Sequence, residues 1–202
     1  MSRLEKGIVV TALLGFVASA VALSIWSGIR AAEIVGPTVM KSDADGNVWL
    51  LFDRDLYRLN PEGAVSQILS LDALKVDAVA DFLPEPSGGL LVGDARRKQI
   101  FRYNQGGSTA RVITLRDRPD ERSLGTFKFD VDRTTGKVFI ADTTLHMIQV
   151  FDADGRHVKS FGQQGEGPTS FHFPNRITVG PDRLLYIADT NNHRVEIGRA
   201  HV

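Results

Sequence analysis

The segment LLYIADT at Leu184–Thr190 decides the fold, because the chain repeats it. A shift of 47 residues aligns it with KVFIADT at Lys137–Thr143, and a further shift of 48 aligns both with LLVGD at Leu90–Asp94. NVWLLFD at Asn47–Asp53 is a looser fourth copy. Self-similarity at a period of roughly 40 to 50 residues is typical of repeat architectures, in which each repeat is one supersecondary unit.

Each copy is followed by a second short segment in which apolar and polar residues alternate. These segments are Leu56–Leu59, Gln99–Tyr103 and Met147–Phe151, and Val195–Ile197 begins the fourth. Turn-forming clusters containing Gly separate the segments, namely Asp45–Asn47, Pro61–Gly63, Gln105–Gly107, Thr135–Lys137 and Asp154–Arg156. No stretch after Ile34 keeps helical spacing over three turns. Four short antiparallel strands in a unit of this length predict a β-propeller blade.

Two motifs give the repeat a family resemblance. ADTNNHRV at Ala188–Val195 resembles the segment that names the NHL-repeat family, and VFDADG at Val150–Gly155 resembles another part of the same repeat. The first two copies depart from the pattern, because they lack Ala-Asp-Thr and the Asn-His-Arg element. The resemblance implies a propeller of mostly six blades, whereas the periodicity alone indicates only blades.

The sequence therefore predicts an all-β fold, a β-propeller with four-stranded blades, preceded by one N-terminal transmembrane helix. About four blades are present, and the resemblance implies six in the complete protein. The predicted segments are a cytoplasmic tail at 1–6, a transmembrane signal anchor at 7–29, a linker at 30–36, a partial propeller at 37–196 and a tail at 197–202. The predicted blades lie at about 37–77, 78–120, 124–162 and 171–196.

The anchor prediction rests on the stretch from Gly7 to Ile29, which contains no charged residue. A helix of about 23 residues is about 34 Å long, enough to cross a hydrocarbon core of about 30 Å. Arg3 and Lys6 precede the stretch, which predicts a cytoplasmic N-terminus and a periplasmic or extracellular propeller at the cell membrane. A cleaved signal peptide is the alternative, because small residues at Ala18–Ala22 suit a signal peptidase.

The overall composition excludes some classes of site. Lys plus Arg and Asp plus Glu both number 24, so the formal net charge is zero, which argues against a nucleic-acid partner. The chain has no cysteine, which excludes disulfides and thiolate metal sites.

The last residues do not follow the repeat. Ile197–Val202 interrupt the alternation where a strand of the fourth blade is expected to continue. Back-translated as ATC GGA AGA GCA CAC GTC, this stretch resembles a widely used sequencing adapter. The hypothesis is that it is not natural sequence and that about two blades are missing; a short native tail is the alternative.

The longer loops of the repeat are expected to share one face of the propeller, where binding usually concentrates. Three carboxylates end a strand just before such loops and are predicted to accept backbone N–H bonds; they are Asp94, Asp142 and Asp189. A basic residue follows each of them by four positions, which predicts a local ion pair. The candidate binding residues are Lys98, His146, His172, Arg176, Asn191 and His193, with Arg176 a candidate contact for an anion.

No catalytic constellation, cofactor or metal site is predicted. Asp43–Gly46 and Asp152–Gly155 resemble the start of a calcium loop, but Arg54 and Gln163 occupy the twelfth positions where such a loop needs Glu, so both are interpreted as turns. The leading hypothesis is a membrane-anchored module that binds a protein, peptide or glycan through its loop-rich face. The alternatives are a propeller-type lyase or lactonase whose metal site the missing blades complete, and a structural subunit of an envelope complex.

Overall fold

The computed structural model describes residues 39–86, 88–105, 107–117 and 125–199. The predicted tail, anchor and linker at 1–36 lie outside these ranges, as do residues 200–202. Within the described ranges, no helix is long and apolar enough to cross a membrane.

The described residues form β-strands and one short 3-10 turn, as the alternating pattern predicts. The strands are β1 Val39–Ser42, β2 Val48–Phe52, β3 Asp55–Leu59, β4 Val65–Ser70, β5 Val79–Pro84, β6 Leu90–Asp94, β7 Gln99–Tyr103, β8 Thr109–Thr114, β9 Phe127–Val131, β10 Val138–Asp142, β11 Met147–Phe151, β12 His157–Phe161, β13 Pro174–Val179, β14 Leu184–Asp189 and β15 Arg194–Arg199. The 3-10 turn is Thr190–Asn192. The prediction of an all-β chain with four-stranded blades is confirmed.

The chain divides into two compact units, of which the first is Met1–Lys75 with Pro84–Pro86. Its described strands form blade 1, a sheet in the order β1-β2-β3-β4 with antiparallel neighbours. The core on one side of this sheet contains Leu50, Tyr57 and Leu59, each 1 or 2% exposed. Sequential antiparallel pairing needs only short hairpin turns, which the Gly-containing clusters supply.

The second unit is Val76–Leu83 with Ser87–Val202 and holds three sheets. Blade 2 is β5-β6-β7-β8, blade 3 is β9-β10-β11-β12, and blade 4 is β13-β14-β15 among the described residues. Strand β15 pairs with β14 along its whole length, up to Leu184 opposite Arg199. The strand therefore continues past Ile197, because ladder hydrogen bonds need only backbone groups that any residue except Pro can supply, and the hypothesis that 197–202 is not natural sequence stays a prediction.

Apolar side chains between consecutive sheets hold the second unit together. Leu91 and Ile100 of blade 2 belong to one buried cluster with Phe127 and Phe129 of blade 3. Gly93 has no side chain where the other strong copies have Ala, and a methyl group there would lie 2.8 Å from the Phe127 ring. A second cluster joins blades 3 and 4 and contains Phe139, Ile148, Val150, Phe171, Ile177, Leu185 and Ile187.

The two calcium-like segments are hairpin turns. One Asp43 carboxylate oxygen accepts the N–H groups of Asp45 and Asn47, two and four residues later. Asp152 does the same with Asp154 and Arg156. Each carboxylate thus satisfies the backbone donors of its own turn.

Asp43 also binds three side chains of the first unit. The Trp49 indole N–H, the Asn47 amide and the Arg58 guanidinium all donate to its carboxylate, at 3.0 to 3.2 Å. Burial of the carboxyl raises its pKa, but these hydrogen bonds together outweigh burial and lower the pKa of Asp43 to about 2. The charged form is therefore stabilised in the folded state.

Asp43→Asn should destabilise the protein at pH 7 by about 2 kcal/mol, the free energy equivalent to the difference between pKa values of 3.8 and about 2. Because the folded-state pKa is the lower one, this stabilisation is present above about pH 4 and is lost as the pH falls towards 2. Urea unfolding from pH 7 to pH 2 measures both effects. Asp45→Asn is the control, since that side chain is 72% exposed; equal unfolding of the two variants would contradict the prediction.

Candidate functional site

A buried carboxylate ends the second strand of each blade in the second unit. Asp94, Asp142 and Asp189 are each 0% exposed. Asp94 accepts the backbone N–H of Asp77 at 2.8 Å, and Asp189 accepts that of His172 at 2.6 Å. In both cases the donor lies 17 residues earlier, in the linker that enters the blade. The carboxylate therefore ties the entering linker to the far end of the second strand.

The same carboxylates organise the turns that follow them. The other oxygen of Asp94 accepts the N–H groups of Arg96 and Arg97, and Asp142 binds the next turn in the same way, through Thr144 and Leu145. Both are Asx-type turns. Asp189 differs, because its second oxygen accepts side-chain donors, the Asn192 amide at 2.7 Å and the Arg194 guanidinium at 3.1 Å.

The basic residues that follow the three buried carboxylates by four positions share a backbone conformation. Lys98, His146 and His193 all lie in the left-handed region, with φ of 54°, 52° and 53°. The predicted pairs of Lys98 with Asp94 and of His193 with Asp189 are wrong. The Lys98 ammonium lies 2.6 Å from Asp117, and in blade 4 the pairing residue is Arg194. The position is thus defined by its left-handed backbone conformation and not by an ion pair with the carboxylate.

The linker between blades 3 and 4 is held from both blades. On the blade 3 side, the Phe173 N–H donates to Nδ1 of His146 at 3.0 Å. On the blade 4 side, the Asn191 N–H donates to the His172 carbonyl at 3.0 Å and the Thr190 N–H to the Phe173 carbonyl at 3.4 Å. The segment of His172 and Phe173 is therefore bound on each side by groups that belong to different blades.

Phe173 is presented to solvent in a strained conformation. Its φ is 58°, a region that costs a non-Gly residue about 1 kcal/mol or more, and its side chain is 41% exposed. The ring packs edge-on against His146 at 4.7 Å and lies 5.3 Å from the His172 ring. We call Phe173, His146, His172 and the adjacent Asn191 the Phe173 surface.

Arg194 anchors the remainder of this linker. Its guanidinium donates to the carbonyls of Glu166, Gly167 and Ser170 at 2.8 to 3.2 Å while it pairs with Asp189. One side chain thus joins the linker to the buried carboxylate, and the charged donors strengthen each bond.

The structure separates the predicted binding residues into two groups. His146, His172 and Asn191 meet around Phe173, and His193 lies in the adjoining turn. Lys98 lies in a different turn, and Arg176 lies within β13, half exposed, with a guanidinium nitrogen 3.6 Å from buried Asp81.

Phe173, Asn192 and Arg194 were missed as candidate site residues. The Asn-His-Arg element of the repeat pointed to the last two, but an exposed Phe cannot be distinguished from a core Phe by sequence. Within the described ranges, no group of three or more His, Cys, Asp or Glu side chains is placed to hold a metal ion.

Comparisons with known proteins identify the type of repeat and the fold. The family model described as NHL repeat matches residues 171–197, which run from the end of the linker through most of blade 4. The chain therefore contains an NHL repeat. NHL repeat-containing protein 2 of Bos taurus is 24% identical in an alignment 148 positions long that covers 56% of this chain and 20% of that protein. Protein brain tumor of Drosophila melanogaster is 31% identical over 62 residues, which are 30% of this chain and 6% of that protein.

Solved structures show the same fold. A streptogramin B lyase superimposes with a TM-score of 0.56 at 19% identity, over 81% of this chain and 54% of the lyase. An auxiliary nutrient binding protein from Bacteroides ovatus superimposes with a TM-score of 0.53 at 15% identity, over 76% of this chain and 45% of that protein. The chain spans about half the length of these structures and a fifth or less of the curated relatives. The prediction of an NHL-type β-propeller is confirmed.

Arg194→Ala should destabilise the protein by about 3 kcal/mol, because it leaves a buried carboxylate without its guanidinium partner. It should also speed hydrogen exchange at the amides of Gly165 and Phe171, which close the anchored loop. Chemical unfolding and amide exchange measure the two effects. Arg199→Ala is the matched control on the same strand, where the side chain is exposed. Equal exchange in both variants would show that Arg194 does not hold the loop.

Proposed function

We propose that this NHL-repeat chain is a binding module that holds an extended peptide segment of another protein on the Phe173 surface. The observation that carries the proposal is the strained, exposed aromatic ring of Phe173, held by hydrogen bonds from two blades. Strained backbone persists only where the surroundings determine it, and it concentrates at functional sites. An aromatic ring that is already fixed loses little entropy on binding.

The chemistry around Phe173 fits a peptide. Aromatic side chains, Phe among them, are enriched at protein interfaces relative to the rest of the surface. The neighbouring Asn191 is exposed and carries an amide, a group that pairs with peptide backbone donors and acceptors. NHL propellers generally mediate protein interactions, which supports a protein rather than a small molecule as the ligand.

Phe173→Ala should weaken peptide binding at least tenfold, the loss expected of an interface anchor. Linear peptides selected from a random display library on the immobilised protein supply the probe, and their affinities are measured by calorimetry. Val158→Ala is the control, because Val158 is similarly exposed, at 48%, on β12. Unchanged affinity in Phe173→Ala, or equal losses in both variants, would contradict the proposal.

We also propose that the segment 7–29 anchors the chain in a membrane with the propeller on the extracytoplasmic side. The support is the uncharged length of this segment and the basic residues Arg3 and Lys6 before it. An exported propeller would meet ligands outside the cell or in the periplasm.

Fusion of a reporter enzyme that is active only outside the cytoplasm to the C-terminus tests this topology. Activity is expected for the full chain and not for a variant that lacks residues 7–29. A reporter active only in the cytoplasm would contradict the orientation. A mature protein that begins near Leu23 would replace the anchor with a cleaved signal peptide while leaving export intact.

A further inference from the structure

The protonation state of His146 is determined by its hydrogen bond. Nδ1 of His146 accepts the Phe173 N–H at 3.0 Å, so this nitrogen carries no proton and the ring is neutral with its proton on Nε2. His146 is 8% exposed and is fixed by its left-handed turn. The contact joins residues 27 positions apart in the chain.

Protonation would convert this contact from attractive to repulsive. An imidazolium has N–H groups at both nitrogens, so Nδ1–H would point at the Phe173 N–H. On the other side, the Phe173 carbonyl is held by the Thr190 N–H at 3.4 Å, a long hydrogen bond. The strained φ of Phe173 therefore depends strongly on the contact with neutral His146.

Among the described residues, charged and titratable groups lie near His146 on the linker, in its own turn and in blade 4. The linker contributes His172, whose ring centroid lies 5.8 Å from that of His146. The turn of His146 begins with Asp142, whose carboxylate accepts two N–H groups of that turn. The end of β14 and the start of β15 contribute the pair of Asp189 and Arg194, with Asp189 bound to the His172 N–H. Both carboxylates are thus engaged in hydrogen bonds.

We propose that His146 is the positioning residue of the Phe173 surface and that its protonation releases Phe173 and weakens ligand binding. The inference rests on the proposed function of that surface. Binding is then strong near pH 7.5, where the ring is neutral, and weak near pH 4.5, below the range in which an unperturbed histidine changes charge, since burial and the accepted N–H both oppose protonation. A fall in pH then acts on the backbone hydrogen bond that positions Phe173 and not on the Phe173 ring itself.

The variant His146→Asn keeps a hydrogen-bond acceptor for the Phe173 N–H and removes the side chain that gains a proton. An Asn carbonyl can accept the Phe173 N–H, Asn tolerates the left-handed conformation, and its amide does not titrate. His193→Asn is the matched control, because His193 occupies the same left-handed position in the next blade, with φ of 53°. Wild-type pH dependence is expected to persist in His193→Asn and to disappear in His146→Asn.

The first measurement uses the unliganded wild-type chain and follows the exchange protection of the Phe173 amide by NMR between pH 7.5 and 4.5. Protection is expected to fall about tenfold, the factor that one lost hydrogen bond is worth. Constant protection would overturn the inference. This measurement needs neither a variant nor a ligand, so it is independent of the proposed function.

The second measurement is the affinity of a selected peptide that lacks His, Asp and Glu, at the same two pH values. Wild type and His193→Asn should bind about tenfold more weakly at pH 4.5, and His146→Asn should change less than twofold. An unchanged pH dependence in His146→Asn would overturn the inference. If Phe173→Ala leaves affinity unchanged, the proposed function fails, while the amide measurement still decides the role of His146.

Discussion

The buried carboxylate at the end of each second strand is the constraint on which the second unit depends. A carboxylate removed from water must be satisfied by strong donors, and Asp94 and Asp189 obtain one from a linker amide 17 residues earlier. The linker therefore cannot slide along its blade without leaving a buried charge unpaired. Asp189 adds Arg194, which extends the same constraint to the carbonyls of the preceding loop.

The strained position of Phe173 is a consequence of this anchoring. A Phe with φ of 58° would relax to an extended conformation if its linker were free, but neighbouring groups from blades 3 and 4 bind the segment on both sides. Backbone hydrogen bonds from both blades and the edge-on contact with His146 together hold the ring in place. The site is thus rigid where it is exposed, which is the arrangement that lowers the entropic cost of binding.

Most of the fold could be predicted from the sequence because the repeat is a local signal. The alternation of apolar residues and the Gly turns identified the strands, and the motif at Ala188–Val195 identified the family. The site was predicted in part. The chain position of His146 and His193 was recognised, but the shared property is a left-handed backbone and not an ion pair. The basic side chains suggested an ion pair, whereas the feature that these positions share is a left-handed backbone conformation.

The sequence by itself determined the blades, their order and the turn carboxylates, since each depends on residues close together in the chain. Only the tertiary structure decided which side chains meet. His146 and Phe173 are 27 residues apart, and Arg194 and Glu166 are 28 apart. Contacts at such separations depend on how consecutive blades pack. The repeat length in the sequence does not predict which side chains meet there. Whether Phe173 is buried or exposed was likewise decided by packing, because the same aromatic ring suits a core and a binding surface.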